Sequence, residues 1–154
     1  MEKSIIDELN MILTKTLDHQ EAFRQLSQTS THGATADKLD EFAKVAKKES
    51  ERLIKAISDM GGDVQTTERH TDQQTIGWVP RPLPDSKDLQ ALLECLIKGE
   101  RNKEDDYNNL FAREDIDSEL KNLLSKHRKE AESNLVYFQS ALKSLEQRPE
   151  RQDR

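Results

Sequence analysis

Cysteine is nearly absent from this sequence, since Cys95 is the only one among 154 residues. A single thiol excludes an internal disulfide. Cys95 falls inside a predicted helix, where a small side chain of this kind is expected to be a buried thiol rather than a catalytic nucleophile. The chain must therefore be held together by its core alone, and its length is that of one ordinary domain.

Long hydrophobic runs and an excess of basic residues are also missing. Residues 2–9 contain Glu2, Asp7 and Glu8 and no apolar run, so we expect neither a secretory signal nor a transmembrane span. The formal net charge of -6 disfavours a nucleic-acid partner, because binding to phosphate backbones depends on clustered Lys and Arg. Predicted surface faces mix both charge signs, which argues against membrane-surface binding. These absences predict a cytoplasmic protein.

Apolar residues make up only 33% of the chain, but they are concentrated in stripes with intervals of three and four residues, the period of an amphipathic helix. Four such stretches predict an all-α fold in a single domain over residues 1–146, followed by a charged, flexible tail at 147–154. The predicted helices begin at caps and end at glycines or loops: Ser4 to about Gln28, Thr35 or Asp37 to Gly61-Gly62, Asp85 or Ser86 to Phe111, and Asp115 or Asp117 to Leu145.

The connection between the second and third helices is unusually long, covering residues 61–85 with Gly77 and three prolines and no helical period. A helix of about 24 residues is some 36 Å long, and an extended segment of this length could cross it from end to end. We therefore expect two antiparallel hairpins joined by a long crossover. Trp78 and Val79 are the expected anchors of the crossover, because a tryptophan buries a large apolar area.

Polar residues interrupt the predicted apolar stripes near the middle of each helix. The third stripe runs Leu89, Leu93, Leu96, Glu100, Glu104, Tyr107, Phe111. The other helices add candidates at a similar height: His19, Glu49, His127 and Glu130. Burying an unpaired carboxylate costs several kcal/mol, so such groups must be paired, hydrated or bound to a cation.

Two interpretations of these polar residues stay open. The first is a metal site that holds iron or manganese, because carboxylates and imidazoles from four helices are the ligands of dinuclear bundles. Its predicted ligands are His19, Glu49, Glu100, Glu104, His127 and Glu130, with Tyr107 beside them. The second is an internal network of salt bridges and hydrogen bonds, for instance His127 with Glu49 or Tyr107 with a glutamate, which fixes helix register without chemistry.

Several short motifs point to a family. They are Asp18 to Phe23, Met60-Gly61-Gly62, Gly77-Trp78, and Gly99-Glu100 followed by Tyr107 and Leu110. With these motifs the chain resembles the ferritin-like superfamily and, within it, the bacterial four-helix-bundle family called domain of unknown function 2383. The resemblance implies a ferritin-like four-helix bundle and carries no settled activity.

The sequence departs from the pattern of di-iron bundles, which use a Glu-x-x-His pair on each of two helices. Here Glu49 is followed three residues later by Arg52, and the fourth helix has the reverse order, His127 before Glu130. A cation in the place of a ligand argues against a dinuclear centre, although it leaves room for a single ion. The remaining histidines, His32 and His70, lie in predicted loops and are expected to be exposed to solvent.

The sequence therefore favours a non-enzymatic, cytoplasmic ferritin-like bundle that acts as a stress-associated or protein-interaction module. We expect it to form a homo-oligomer, most simply a dimer, and to need no cofactor. The alternative is a metal-binding ferritin-like protein, either an iron-handling protein or a di-iron or di-manganese oxidoreductase.

Overall fold

The computed structural model describes residues 4–31, 33–65, 77–85 and 87–147. Over these ranges the protein is all-helical and consists of α1 Ile5–Thr29, α2 Gly33–Asp59, α3 Leu89–Phe111 and α4 Ser118–Glu146. None of these helices is long and apolar enough to cross a membrane. Several predicted features lie outside the described residues: His32, His70, the cap at Ser86, the middle of the crossover at 66–76 and the tail at 148–154.

Two of the helices begin where the sequence predicts, because a short polar side chain accepts a hydrogen bond from the first turn. Ser4 Oγ accepts from the Asp7 backbone N–H at 3.1 Å, and Asp117 Oδ1 accepts from the Leu120 N–H at 2.8 Å. These caps are confirmed. The acidic Asp7 and Glu8 in the first turn of α1 also suit the positive end of the helix dipole.

The predicted starts of α2 and α3 are wrong. Helix α2 begins at Gly33, ahead of both predicted caps at Thr35 and Asp37, in a stretch where alanines favour helix. Helix α3 begins later than predicted, because Asp88 caps it by accepting from the Ala91 N–H at 3.1 Å. Asp85 is used instead in a short turn, where its carboxylate accepts from the Lys87 N–H at 2.9 Å.

Helix α2 ends at the predicted glycine pair. Gly61 has φ of 79°, a left-handed conformation that glycine adopts without steric cost. The Gly62 N–H donates to the Ile57 carbonyl at 3.0 Å, which satisfies one of the last free carbonyls of the helix.

The core consists of two apolar clusters. The first cluster combines the beginnings of α1 and α4 with the ends of α2 and α3: Leu9, Ile12, Leu13, Leu53, Ile57, Trp78, Tyr107, Leu110, Ile116, Leu120, Leu124. The second cluster combines the opposite ends of the same helices: Phe23, Leu26, Leu39, Phe42, Ala43, Leu92, Leu93, Leu96, Ile97, Phe138. In the sequence of every helix, buried polar residues lie between its members of the two clusters.

The described part of the crossover enters the bundle at Trp78 and Val79, which are 1% and 0% exposed. Trp78 Nε1–H donates to Asp106 Oδ2 at 2.8 Å, and the Trp78 carbonyl accepts from Asn102 at 2.9 Å. Val79 packs so closely against Gly99 that a Cβ on this glycine would lie 2.9 Å from a Val79 methyl group. Glycine at 99 therefore lets the crossover lie directly on α3.

Cys95 is half-buried rather than buried, and its Sγ lies 3.9 Å from the Pro80 carbonyl oxygen. Burial raises the pKa of this thiol, which keeps it protonated and unreactive.

The burial of Trp78 leads to a stability prediction. Replacing Trp78 with alanine removes a fully buried ring and two of its contacts, so we expect Trp78→Ala to lower the free energy of unfolding by about 3 to 5 kcal/mol. Urea denaturation followed by circular dichroism measures the change. Val64→Ala is the matched control, because Val64 precedes Trp78 in the same connection but is 40% exposed. An equal, small effect of both substitutions would show that the crossover is not held through this ring.

Candidate functional site

Six buried side chains form what we call the polar layer, which consists of three pairs: His19 with Glu100, Glu49 with Lys103, and Tyr107 with His127. All six are 1% exposed or less. Each helix contributes at least one of them. Because charged groups are almost never fully buried unless they are paired, the pairing determines what this layer can do.

The first pair connects α1 to α3. His19 Nε2 lies 2.5 Å from Glu100 Oε2, so the ring N–H donates to the carboxylate. The second oxygen of Glu100 accepts from Asn134 of α4 at 3.3 Å. The His19 ring is fixed by edge contacts with Phe23 and Trp78, at centroid distances of 4.5 and 5.3 Å. A carboxylate with both oxygens bonded and a neighbouring ring held in place makes a rigid contact.

The second pair connects α2 to α3. Lys103 Nζ donates to Glu49 Oε1 at 2.7 Å. The ammonium also lies over the rings of Trp78 and Tyr107, 5.5 and 5.9 Å from their centroids, where the negative ring faces attract it. The cost of removing this charge from water is thus offset from two directions, by a carboxylate and by aromatic faces.

Glu49 holds a proton more strongly than an ordinary glutamate. Burial raises its pKa from 4.5 to about 8, against the opposing charge of Lys103, and a hydrogen bond to Glu130 of α4 acts in the same sense as burial. A bond between two carboxyl groups requires a proton on one of them. The Oε2 atoms of Glu49 and Glu130 have no donor from the described residues, so a proton shared between the two carboxyl groups satisfies them and leaves the two groups one negative charge, which Lys103 faces at Glu49. Arg52 lies 3.8 Å from the other oxygen of Glu130.

The third pair connects α3 to α4, with Tyr107 Oη 3.1 Å from His127 Nδ1. Burial, together with the nearby charge of Lys103, lowers the pKa of His127 to about 3. Burial and the charges of Glu49 and Glu130 raise the pKa of Tyr107 well above its usual value. At neutral pH the phenol therefore keeps its proton and the imidazole is neutral, so the two rings share a hydrogen bond with no charge on either side.

The structure brings most of the predicted site residues together. His19, Glu49, Glu100 and His127 lie in the polar layer with Tyr107, and Glu130 is partly buried beside Glu49. Glu104 is the exception, because it is partly exposed at the rim of the bundle. Burial, with the charge of nearby Glu132 next, raises its pKa.

The hydrogen-bond partners predicted within the network are wrong. His127 pairs with Tyr107 and not with Glu49, and Tyr107 pairs with an imidazole and not with a glutamate. The reason is that Lys103 occupies the position facing Glu49.

Sequence reasoning missed Lys103. The signal was present, because Leu96, Glu100, Lys103, Tyr107 and Leu110 are spaced at four, three, four and three, as regularly as the stripe through Glu104. A lysine in such a stripe is easily overlooked, because lysine side chains are rarely fully buried. A second buried ion pair was missed as well: Arg81 of the crossover donates to Asp18 of α1 at 2.7 Å.

The donor set does not fit the dinuclear centre of ferritin-like oxidoreductases. Within the described ranges, no three side chains of His, Cys, Asp or Glu converge in a way that could hold a metal ion. A cation faces the glutamate on each of the two helices that would carry the Glu-x-x-His pairs of a di-iron centre. Lys103 faces Glu49 on α2, and Arg52 faces Glu130 on α4. Glu104, one of the predicted ligands, lies outside the polar layer.

Comparison with known proteins does not identify the chain, since no family model matches the sequence and no curated protein is significantly similar to it. The membership of the ferritin-like superfamily and of domain of unknown function 2383 therefore stays a prediction from the motifs.

The two shifted pKa values predict how stability depends on pH. Between pH 4.5 and about 8, folded Glu49 keeps a proton that the unfolded chain releases, so its stabilising contribution falls as pH rises. Between about pH 3 and 6.5, the unfolded chain protonates His127 while the folded protein does not, so this contribution rises with pH. The two slopes oppose each other between pH 4.5 and 6.5, and from pH 6.5 to about 8 only the slope of Glu49 is left.

We therefore expect stability to decline between pH 6.5 and about 8 by on the order of 1 kcal/mol per pH unit, and Glu49→Gln to abolish this decline. Urea denaturation at half-unit pH steps measures it. Glu51→Gln is the control, because Glu51 is an exposed glutamate on the same helix. Parallel pH profiles of the wild type and Glu49→Gln would show that Glu49 does not carry the extra proton.

Proposed function

We propose that this protein is a ferritin-like four-helix bundle in which ion pairs and hydrogen bonds take the place of a metal centre, and that it acts as a cytoplasmic interaction module rather than an enzyme. One observation carries the proposal: the Lys103 ammonium lies 2.7 Å from Glu49 inside the polar layer. A metal ion at this carboxylate would have to displace a buried positive charge that the surrounding rings already accommodate.

A structural role explains the layer without any reaction. Buried polar pairs discriminate between helix registers, because a shift by one turn would leave each partner unpaired at a cost of about 3 to 5 kcal/mol. The three pairs connect α1 with α3, α2 with α3, and α3 with α4. Helix α3 thus sets the register of the other three helices.

The ferritin-like arrangement is supported by the two core clusters. The start of α1 shares a cluster with the end of α2, and the end of α3 shares it with the start of α4. This fits two antiparallel hairpins. The ends of α2 and α3 belong to that same cluster, which supports a topology in which the two helices run in the same direction and the crossover joins opposite ends of the bundle.

The first prediction of this proposal concerns metal. Protein purified without chelator should contain far less than one equivalent of iron, manganese or zinc, and a chelator should leave the melting temperature unchanged. Elemental analysis and thermal melts measure both. Stoichiometric metal with a chelator-dependent fall in melting temperature would favour the alternative, a metal-binding ferritin-like protein that handles iron or acts as an oxidoreductase.

A substitution at Lys103 further distinguishes the network of ion pairs from a metal-binding site. Lys103→Met keeps most of the length of the side chain but removes the cation that faces the negative charge shared by Glu49 and Glu130, so we expect a loss of about 3 kcal/mol of stability at neutral pH and no gain of metal binding. Lys98→Met, at an exposed position of the same helix, is the control.

The second prediction concerns topology. Spin labels at Met60 and Lys87, in a background with Cys95 replaced by serine, mark the end of α2 and the approach to α3. We expect a distance on the order of the length of α2, about 40 Å for its 27 residues. A short distance would indicate an up-down-up-down bundle and would defeat the ferritin-like assignment.

The third prediction concerns self-association. Val136 on α4 is 62% exposed, the highest exposure of any large apolar side chain in the described residues, and it marks an open face of that helix. We expect a homodimer that buries this face, and Val136→Lys should convert it to a monomer in sedimentation equilibrium. Asn122→Lys adds the same charge at an exposed position near the other end of α4 and should leave the dimer intact. A wild-type monomer would contradict the proposed interface.

A further inference from the structure

A pocket opens between α2, α3 and α4 at the end of the bundle that holds the second cluster. Its volume is about 190 Å³. Its walls are mainly apolar and are formed by side chains that are otherwise part of the core: Leu39, Phe42, Leu92, Leu93, Leu96, Phe138. The polar layer does not contribute to it, so the pocket is a separate feature of the molecule.

The rim of this pocket carries a positive charge. Lys38 Nζ lies 5.1 Å from the Tyr137 ring centroid and 5.6 Å from that of Phe42. The two rings contact each other edge to face at 5.7 Å and hold the lysine at the junction of α2 and α4. Within the described residues, no carboxylate approaches Lys38 within 4 Å. The ammonium therefore has ring faces beneath it and no anion paired with it.

We propose that the pocket binds a small amphipathic carboxylate, with its apolar tail between the helices and its carboxylate on Lys38. The volume sets the size of the tail, because an engineered apolar cavity of about 150 Å³ is large enough for benzene. A tail of about five or six carbons fits, and a long lipid chain does not. A charge-assisted hydrogen bond from the ammonium supplies the specificity for an anionic head group.

Other occupants match only part of this site. A neutral apolar molecule of the same size fills the walls but makes no use of Lys38, and inorganic phosphate pairs with Lys38 but leaves the apolar walls uncovered. A side chain of a second copy of the protein could enter the pocket, and the oligomeric state distinguishes that case.

The test compares hexanoate with hexanol, which share a tail and differ in the charge of the head group. Isothermal titration calorimetry of the wild type should show saturable binding of one hexanoate per chain. Lys38→Met should weaken hexanoate binding about tenfold and change hexanol binding less than twofold. Lys44→Met removes a lysine of the same helix that pairs with Asp40 and should have no effect.

A second variant tests the location. Ala141 lines the pocket, and Ala141→Leu should fill it and abolish binding of both probes while thermal melts show a folded protein. If that variant does not fold, the comparison of the two probes in Lys38→Met decides alone. The proposal is overturned by an absence of saturable binding, by equal affinities of Lys38→Met and the wild type for hexanoate, or by a dimer that Ala141→Leu dissociates, which would assign the pocket to a second copy.

Discussion

The buried ion pair between Glu49 and Lys103 is the interaction on which the rest of the polar layer depends. It places a full positive charge between α2 and α3, 1% exposed to solvent. That charge is stable only because a carboxylate and two aromatic faces surround it. It also acts on the neighbouring pair, since the charge of Lys103 adds to burial in lowering the pKa of His127, which keeps this imidazole neutral in its hydrogen bond with Tyr107.

The long connection between α2 and α3 contacts the same layer. Trp78 contacts the His19 ring, lies beneath the Lys103 ammonium and donates a hydrogen bond to Asp106. A few residues later, Arg81 forms a buried ion pair with Asp18 on α1. The crossover is therefore more than a link of sufficient length, because its described part covers one side of the polar layer and excludes water from it. The low polarity that results is what shifts the pKa values of the layer.

Much of this architecture could be predicted from periodicity and caps, because both depend on residues close together in the sequence. The apolar stripes identified all four helices, and Ser4, Asp117 and Gly61 marked the boundaries where a local hydrogen bond or a left-handed residue decides the outcome. The start of α3 was missed because several capping residues compete between 85 and 88, and only the path of the crossover selects Asp88.

The pairing of side chains in the polar layer was less predictable than the helices, for a different reason. Glu100 is compatible with two helical phases, one through Glu104 and one through Lys103, and the sequence of α3 alone does not distinguish them. The choice depends on Glu49, which lies 54 positions away in the chain and needs a cation. Which side chains pair between two helices depends on how far the helices are shifted and rotated relative to each other. The spacing of residues within one helix carries no information about this shift and rotation.

The central claim is that an internal cation occupies the place that metal ions take in dinuclear four-helix bundles. The most direct measurement is NMR of the side chains of His19, His127 and Lys103 during titration with Mn²⁺, whose unpaired electrons broaden the signals of nearby nuclei. The account predicts that these signals keep their line widths at one equivalent of Mn²⁺, because Lys103 remains paired with Glu49. Selective broadening of the two imidazoles and of the Lys103 ammonium at that ratio would place the metal inside the polar layer and contradict it.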